Sequence, residues 1–164
     1  MEIPVSIEVA YLGIDVAWWL STSYAVGRAC RRLRPESFVH LTWLLGERKF
    51  ESSGRFYEVG LRIKRWKRYL PEAGDLFKGG FDKSKLLSTD IEDLEKFVVE
   101  TKRAEVVHWF LLLLALVPVL FGPWFLRVAA IVYSVVANLP CLLAQRYNRP
   151  RLLRVISLKR FRIR

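Results

Sequence analysis

The stretch that decides the fold is Trp109-Phe-Leu-Leu-Leu-Leu-Ala-Leu-Val-Pro-Val-Leu-Phe-Gly-Pro-Trp-Phe-Leu126, which contains no charged residue. A second uncharged stretch of similar length follows Arg127. Each covers about 18 residues, close to the length that crosses a bilayer, and Gly122-Pro123 near the end of the first marks a turn that separates two apolar segments. Backbone groups within lipid are satisfied only inside helices. The sequence therefore predicts a helical hairpin with transmembrane helices over residues 104–121 and 124–144.

A third apolar segment covers residues 5–26 and carries two acidic residues, Glu8 and Asp15. A secretory signal peptide would have basic residues before its apolar core. Here Glu2 precedes the segment and arginines follow it, at positions 28, 31, 32 and 34. The segment is therefore predicted to be a retained transmembrane anchor.

The chain has a formal net charge of +11, and its basic residues gather beside the apolar segments. Three crossings place these clusters on one face, which the positive-inside rule makes cytoplasmic. We predict an all-α, multi-pass protein of the bacterial inner (cell) membrane, a single membrane domain over residues 1–164. Its N-terminus lies outside, residues 28–103 form a cytoplasmic segment at the interface, and residues 145–164 form a basic cytoplasmic tail.

The position of the basic clusters also indicates the partners. A nucleic-acid-binding protein would present lysine, arginine and stacking aromatics in a groove of a soluble domain. Here the clusters adjoin apolar spans, so membrane lipids with anionic headgroups are the expected partners, and nucleic acid is not expected. The sequence gives no indication of the oligomeric state.

Polar residues recur at helical spacing within residues 5–26 and again within residues 124–144. Charges that face lipid are costly, so these stripes should face each other or a water-filled cleft. Glu8 and Arg127 lie at the same depth by residue count, which predicts an ion pair between them. The alternative is that such residues only join the helices. Pro140 with Asn138 either opens a polar recess at a kink or bends the helix for packing.

The cytoplasmic segment mixes aromatic and basic residues, most densely in Leu61-Arg-Ile-Lys-Arg-Trp-Lys-Arg-Tyr-Leu70. This mixture is typical of elements that lie at a membrane interface, where it either serves a function or forms an ordinary membrane-resting surface. Thr89 and Glu92 then form a capping box. The capping box predicts a helix that begins there and runs toward the second crossing.

Two polar signatures bracket the hairpin. The entrance signature is Glu100-Thr-Lys-Arg-Ala-Glu-Val-Val-His-Trp109, and the exit signature is Gln145-Arg-Tyr-Asn-Arg-Pro-Arg151. Chain reversal should bring them together on the cytoplasmic side of the membrane, which locates a reaction centre.

Glu105 and His108 lie three residues apart on one helix face. A carboxylate at this spacing can fix the imidazole tautomer and raise its basicity, as in a general-base arrangement. The alternative is a hydrogen-bonded pair with no chemical role. A Glu-x-x-His pair also binds metal in helix bundles, but two-metal sites need a second such pair in register. None is present in the sequence, so no metal is predicted.

The exit signature offers several hydrogen-bond donors at the level of the headgroups. Arginine binds phosphate or pyrophosphate bidentately, and asparagine or glutamine binds sugar hydroxyls or a carbonyl oxygen. A plain stop-transfer end needs only lysine and arginine. The exit signature therefore indicates more than a stop-transfer function.

The two cysteines, Cys30 and Cys141, form no disulfide or zinc framework. Both are expected to pack as small apolar residues. The alternative for Cys141 is an acyl-carrying nucleophile, although a lipid-buried thiol is a poor thiolate.

The pattern Glu100-Thr-x-Arg-Ala-Glu-x-x-His-Trp109, the Asn138-x-Pro140 pair and Gln145-Arg-Tyr-Asn-Arg-Pro150 resemble the glycosyl-4,4'-diaponeurosporenoate acyltransferase family, the last enzymes of staphyloxanthin synthesis. Ile63-Lys-x-Trp-Lys-x-x-Leu-Pro71 and Phe81-Asp-Lys83 are similar to its cytoplasmic motif. The resemblance covers most of the chain after about residue 51. It implies transfer of a fatty acyl chain to a sugar hydroxyl of a glycosylated carotenoid.

Acyl transfer to an alcohol needs a base for the hydroxyl, a donor for the oxyanion and a place for the carrier. We assign His108 as the base and Glu105 as its orienting group, with Asn138 or Gln145 near the oxyanion. The residues expected to hold the carrier are Arg103, Arg146, Arg149 and Lys67. Acyl-CoA or an acyl carrier protein is the expected co-substrate, with no cofactor. The acceptor is a lipid-like molecule, and direct transfer is preferred because no serine or thiol adjoins His108. The substrate-binding residues expected are Glu100, Arg103, Asn138, Gln145, Arg146, Tyr147, Asn148, Arg149, Trp66 and Lys67.

A second function fits the same residues. In a non-catalytic membrane subunit or lipid-binding protein, the signatures would clamp an anionic headgroup or a partner. A cleft that joins the signatures to the bilayer favours the enzyme, whereas signatures buried in a partner interface favour the second function.

Overall fold

The structure is a computed structural model and describes residues 4–70 and 90–163. Within these residues every regular element is helical, which confirms the all-α prediction for this part of the chain. The motif Phe81-Asp-Lys83 and the predicted capping residue Thr89 lie outside the described residues.

The described chain contains seven α-helices. They are α1 (Val5–Arg31), α2 (Thr42–Leu45), α3 (Arg55–Val59), α4 (Ile63–Trp66), α5 (Ile91–Leu114), α6 (Leu116–Val119) and α7 (Trp124–Ile163). Short 3-10 helices occupy Pro35–Val39, Lys49–Gly54 and Lys67–Tyr69.

Contacts divide the chain into two compact units. The hairpin unit lies within Met1–Leu33 and Val106–Pro140, and the basic unit within Arg34–Glu105 and Cys141–Arg164. Each unit has its own buried residues.

The hairpin unit contains the turn that the sequence predicts at Gly122-Pro123. Gly122 has φ +80°, a left-handed conformation that favours glycine, and α7 begins directly after Pro123. A Cβ atom at Gly122 would lie 3.2 Å from Cδ1 of Tyr11 on α1. Glycine therefore serves both the turn and the close approach of α1.

The second predicted transmembrane helix is divided in the structure. Helix α5 ends at Leu114 and α6 begins at Leu116, because Pro118 has no N–H for the carbonyl of Leu114. The indole Nε1 of Trp18 on α1 donates to that carbonyl at 3.3 Å. The backbone group that proline leaves unpaired is thus satisfied by a side chain nearly a hundred residues away.

The predicted Glu8–Arg127 ion pair is wrong. Arg127 Nε donates to the backbone carbonyl of Gly122 at 2.9 Å, and no ion pair joins the two side chains in residues 4–70 and 90–163. The turn lies only five residues before Arg127, so a local acceptor competes successfully with a distant carboxylate.

Among the described helices, α7 alone is long and apolar enough over part of its length to cross a bilayer. Helix α1 carries Glu8 and Asp15, and the apolar run of the second segment is shared between α5 and α6. The three-crossing topology with an external N-terminus therefore stays a prediction.

The basic unit has two apolar clusters. The first contains Tyr57, Ile63 and Tyr147, with Trp66 and Leu143 packed against it. Tyr57 and Ile63 are 2 % and 0 % exposed, so these members of the aromatic segment form the interior of the unit.

Helix α7 continues through Pro150 to Ile163, whereas the sequence predicts its transmembrane part only to residue 144. Proline removes one helical hydrogen bond at this point. Beyond it, Ile156 is buried against Leu94 and Val98 of α5 in the second cluster. We attribute the continued helix to this apolar packing, which offsets the missing bond.

Candidate functional site

The entrance and exit signatures meet at Glu105. Its carboxylate is fully buried on α5, and Nη1 of Arg146 donates to Oε1 at 2.7 Å. Arg149 on α7 donates from Nη2 to the other oxygen, Oε2. We call this arrangement the Glu105 clamp. It confirms that the two signatures come together, and charge-assisted bonds of this kind are the strong ones in proteins.

Arg146 also connects the clamp to the segment of residues 44–51, which precedes α3. Nε donates to Oε1 of Glu51 at 2.7 Å, and Nη2 donates to the carbonyl of Gly46 at 2.9 Å. Nη1 additionally reaches the carbonyl of Leu44 at 3.0 Å. The guanidinium is therefore a rigid cross-link between three chain segments.

Arg149 is held in the same way. Its Nη1 donates to the carbonyl of Leu45 at 2.6 Å, and its Nε donates to Oγ1 of Thr101 at 3.2 Å. Because protein acceptors engage both guanidinium groups, a carrier phosphate would have to displace these partners. The predicted carrier-binding role of Arg146 and Arg149 stays a prediction.

Glu51 is a site residue that sequence reasoning missed. It is 1 % exposed and accepts hydrogen bonds from Tyr57 Oη, from Arg146 Nε and from the backbone N–H of Arg48. Burial acts to raise the pKa of the Glu51 carboxyl, but these donors outweigh burial and hold the pKa below its ordinary value. Burial and the neighbouring carboxylate raise the pKa of Tyr57.

The backbone after Glu51 adopts an uncommon conformation. Ser52 and Ser53 have φ of 46° and 54°, and Gly54 follows at 94°. Left-handed conformations cost non-glycine residues about 1–2 kcal/mol each. No local pattern predicts two such serines, so a sequence reading could not place Glu51 beside Arg146.

The pH dependence of stability should report on Glu51. Its folded pKa lies below the ordinary 4.5, so the ionised carboxylate stabilises the fold above that pH, and this contribution is lost as pH falls through the folded pKa. We expect the difference in unfolding free energy between wild type and Glu51→Gln to be constant near neutrality and to shrink in acid. Chemical unfolding at several pH values measures it. The exposed Glu36→Gln is the control, with a small difference at every pH, and a Glu51→Gln difference that does not change with pH would contradict the assignment.

His108 has a different partner, in the hairpin unit. Its Nδ1 lies 3.0 Å from Oδ1 of Asn138 on α7. Asn138 is 4 % exposed, and its Nδ2 donates to the backbone carbonyl of Ser134 at 2.9 Å. The structure thus brings together two of the predicted site residues, the base and one candidate for the oxyanion. The role of Glu105 as the group that orients the imidazole stays a prediction.

Ser134 completes this polar group. Its Oγ is buried and is the one buried side-chain oxygen or nitrogen without a hydrogen-bond partner in the described part of the chain. The hydroxyl is therefore not held by the imidazole in the manner of a serine nucleophile.

The exit residues Tyr147 and Asn148 lie against the aromatic segment. Lys67 Nζ donates to Oδ1 of Asn148 at 3.1 Å and lies 4.8 Å from the centre of the Tyr147 ring. Tyr147 Oη donates to Glu58 at 2.7 Å. Trp66 donates from its indole to the carbonyl of Leu61 at 2.9 Å and packs on the same cluster.

The remaining predicted residues are less buried. Glu100 and Arg103 form an ion pair with each other, one helical turn apart on α5. Gln145 is half-buried, and its amide has no hydrogen-bond partner within the described residues. Their roles toward substrate stay predictions.

No group of three or more potential metal ligands among histidine, cysteine, aspartate and glutamate occurs in residues 4–70 and 90–163. Cys30 is buried and Cys141 half-buried, and neither forms a disulfide within the described residues.

A family sequence model described as glycosyl-4,4'-diaponeurosporenoate acyltransferase matches residues 41–158. The chain belongs to this family. It is accordingly an acyltransferase, and the matched region contains the Glu105 clamp together with His108 and Asn138.

Curated relatives of this acyltransferase carry the same description. Proteins from Staphylococcus aureus strains MRSA252, USA300 and NCTC 8325, each named glycosyl-4,4'-diaponeurosporenoate acyltransferase, are 28 % identical to the chain over 144 residues. The similarity spans 86 % of this chain and 85 % of each relative. No solved structure matches it.

Proposed function

We propose that the chain is a membrane-embedded O-acyltransferase that moves a fatty acyl group from a thioester carrier to a sugar hydroxyl of a glycosylated carotenoid or a related glycolipid. The relatives' name supports this acceptor class. The donor is acyl-CoA or an acyl carrier protein, and no cofactor takes part. Membership in an acyltransferase family favours this enzyme over the non-catalytic lipid-binding subunit.

The surface of the hairpin unit supports its place in lipid. Large apolar side chains along α1 and α7 are exposed, among them Val5 at 74 %, Leu20 at 68 % and Val136 at 67 %. Soluble monomers rarely expose contiguous apolar surface on this scale. We propose three crossings in the bacterial inner membrane, an external N-terminus and a cytoplasmic active face.

The His108–Asn138–Ser134 contact is the observation that carries the mechanism. The carbonyl of Ser134 only accepts hydrogen bonds, so the Asn138 amide must direct Nδ2 toward it and Oδ1 toward His108. Oδ1 also only accepts, so Nδ1 of the imidazole must carry the proton. Nε2 then presents a lone pair and is the basic atom.

Nε2 of His108 takes the proton of the acceptor hydroxyl as its oxygen attacks the thioester carbonyl carbon. The tetrahedral intermediate collapses, the carbon–sulfur bond breaks and the thiolate leaves. The imidazolium returns its proton to that sulfur, which yields an ester and a free thiol. Transfer is direct, because Ser134 Oγ makes no hydrogen bond that would activate it.

The activity is tested with purified protein in lipid nanodiscs, radiolabelled acyl-CoA and a glycosylated carotenoid carboxylate. We expect a labelled lipid product from which mild alkali releases the labelled fatty acid, since an ester of a sugar hydroxyl is base-labile. Loss of the product when the acceptor lacks its sugar would confirm the acceptor site. Absence of labelled ester with both acyl-CoA and acyl carrier protein would contradict the proposal.

Asn138 is expected to set the tautomer of His108. The chain has two histidines, so a His40→Gln background leaves His108 as the only signal in a ¹⁵N-histidine spectrum. We expect neutral His108 to carry its proton on Nδ1 there, and Asn138→Leu to shift it toward the Nε2–H form. The rate should fall about 10- to 100-fold, because a base in the wrong tautomer is ineffective.

Ser134→Ala is the matched control for Asn138→Leu. It removes the unpartnered hydroxyl but keeps the backbone carbonyl that orients the amide, so the tautomer should not change. A wild-type proton on Nε2, or an unchanged tautomer in Asn138→Leu, would refute the role of Asn138 as a positioning residue.

A further inference from the structure

The basic unit contains a cavity of about 200 Å³ beside the Glu105 clamp. Lys102 of α5 lines it, so we call it the Lys102 pocket. Its other lining residues are Phe38, Thr42, Leu45, Gly46, Glu47, Glu51, Arg146, Arg149, Pro150 and Leu153. It has room for a small charged group but not for a long acyl chain.

The charged residues that line the pocket differ in whether they have hydrogen-bond partners. Arg146 and Arg149 donate to Glu51, Glu105 and backbone carbonyls, and Glu47 accepts from the backbone N–H of Ser53. Lys102 is half-buried and has no hydrogen bond or ion pair in the part of the chain that the structure describes. Among the described residues, Lys102 is therefore a cation that lines the pocket without a hydrogen bond to either of the carboxylates there, Glu47 and Glu51.

The environment of Lys102 disfavours its charge. Burial lowers the pKa of the Lys102 ammonium, and the positive charge of Arg149 lowers it further. An anion in the pocket would relieve both effects, because an opposite charge nearby favours the charged form of lysine. Apolar walls from Phe38, Leu45 and Leu153 would strengthen that attraction by excluding water.

We propose that the Lys102 pocket binds a phosphate group, with Lys102 as the residue that contacts it. The proposal rests on the proposed function, in which the acyl carrier presents a phosphorylated arm. An anionic phospholipid presents the same group, so the chemistry common to both is a phosphate ester. Lysine is well suited to this task as a compact point charge, whereas both arginines are already bound to carboxylates.

The test measures binding of 4'-phosphopantetheine and of pantetheine, which lacks the phosphate, by calorimetry in zwitterionic nanodiscs. We expect wild type to prefer the phosphorylated compound at least 10-fold, Lys102→Gln to lose this preference and Lys102→Arg to keep most of it. Lys96→Gln is the control, since Lys96 lies on the same helix but is exposed and paired with Glu92. Because no described residue pairs with Lys102, Lys102→Gln should unfold close to the wild-type temperature.

A second arm adds phosphatidylglycerol to the nanodiscs. Competition with 4'-phosphopantetheine in wild type but not in Lys102→Gln would show that lipid phosphate enters the same pocket. Equal binding of both compounds by wild type and Lys102→Gln, with no effect of phosphatidylglycerol, would overturn the proposal. This experiment measures binding without turnover, so the preference for the phosphorylated compound should persist in His108→Gln. Loss of phosphate binding can therefore be distinguished from loss of acyl transfer.

Discussion

Replacing His108 with glutamine is expected to lower the rate constant of acyl transfer by about 100- to 10,000-fold, the range typical for loss of a general base. Glutamine keeps a hydrogen-bonding side chain of similar reach for Asn138 but cannot take a proton from a hydroxyl. The fold should therefore survive while the chemical step fails. Single-turnover transfer from labelled acyl-CoA in nanodiscs separates this step from product release.

The matched control is His40→Gln. His40 is the other histidine of the chain, is exposed and lies in the basic unit, so its replacement should leave the rate within a factor of about two. A His108→Gln enzyme with wild-type turnover would show that the imidazole is not the base, even if the acyltransferase activity itself stands.

Replacing Glu105 with alanine is expected to cost about 3–5 kcal/mol of unfolding free energy, the typical result of breaking a buried ion pair. Glu105 is fully buried and accepts from both Arg146 and Arg149. Without it, two buried guanidinium groups would face each other with one shared counter-charge removed. Loss on this scale is a large fraction of the roughly 5–15 kcal/mol by which native proteins are typically stable.

Glu100→Ala is the control for Glu105→Ala. Glu100 also pairs with an arginine, Arg103, but its side chain is 38 % exposed, so the cost should stay below about 1 kcal/mol. Chemical unfolding in mild detergent, followed by circular dichroism, compares the two variants. Equal destabilisation by both would mean that the clamp contributes no more than a surface ion pair.

The turn of the hairpin and the meeting of the two signatures can be predicted from the sequence. Gly122-Pro123 forms a turn because glycine alone adopts its φ cheaply and proline follows it. The two signatures meet because a hairpin reverses the chain, which requires no knowledge of side-chain packing. Both inferences depend only on backbone geometry and on residue order.

The errors and omissions depend on contacts that neither periodicity nor residue depth signals. Glu51 reaches Arg146 across 95 positions through a turn with left-handed serines, and no periodicity signals such a turn. Depth alone pairs Arg127 with Glu8, although the carbonyl of Gly122 is closer along the chain and accepts the hydrogen bond. The continuation of α7 through Pro150 likewise depends on burial of Ile156, which only the folded unit provides.

The bond from the Trp18 indole to the Leu114 carbonyl bears on the order of biosynthesis. The ribosome makes Trp18 first, and its acceptor exists only after a further 96 residues have been added. In the bilayer that we propose, an unpaired carbonyl is costly, so α1 and the broken second helix gain by docking together. We therefore expect α1 to be held less firmly in a nascent chain that stops before Leu114 than in the finished protein.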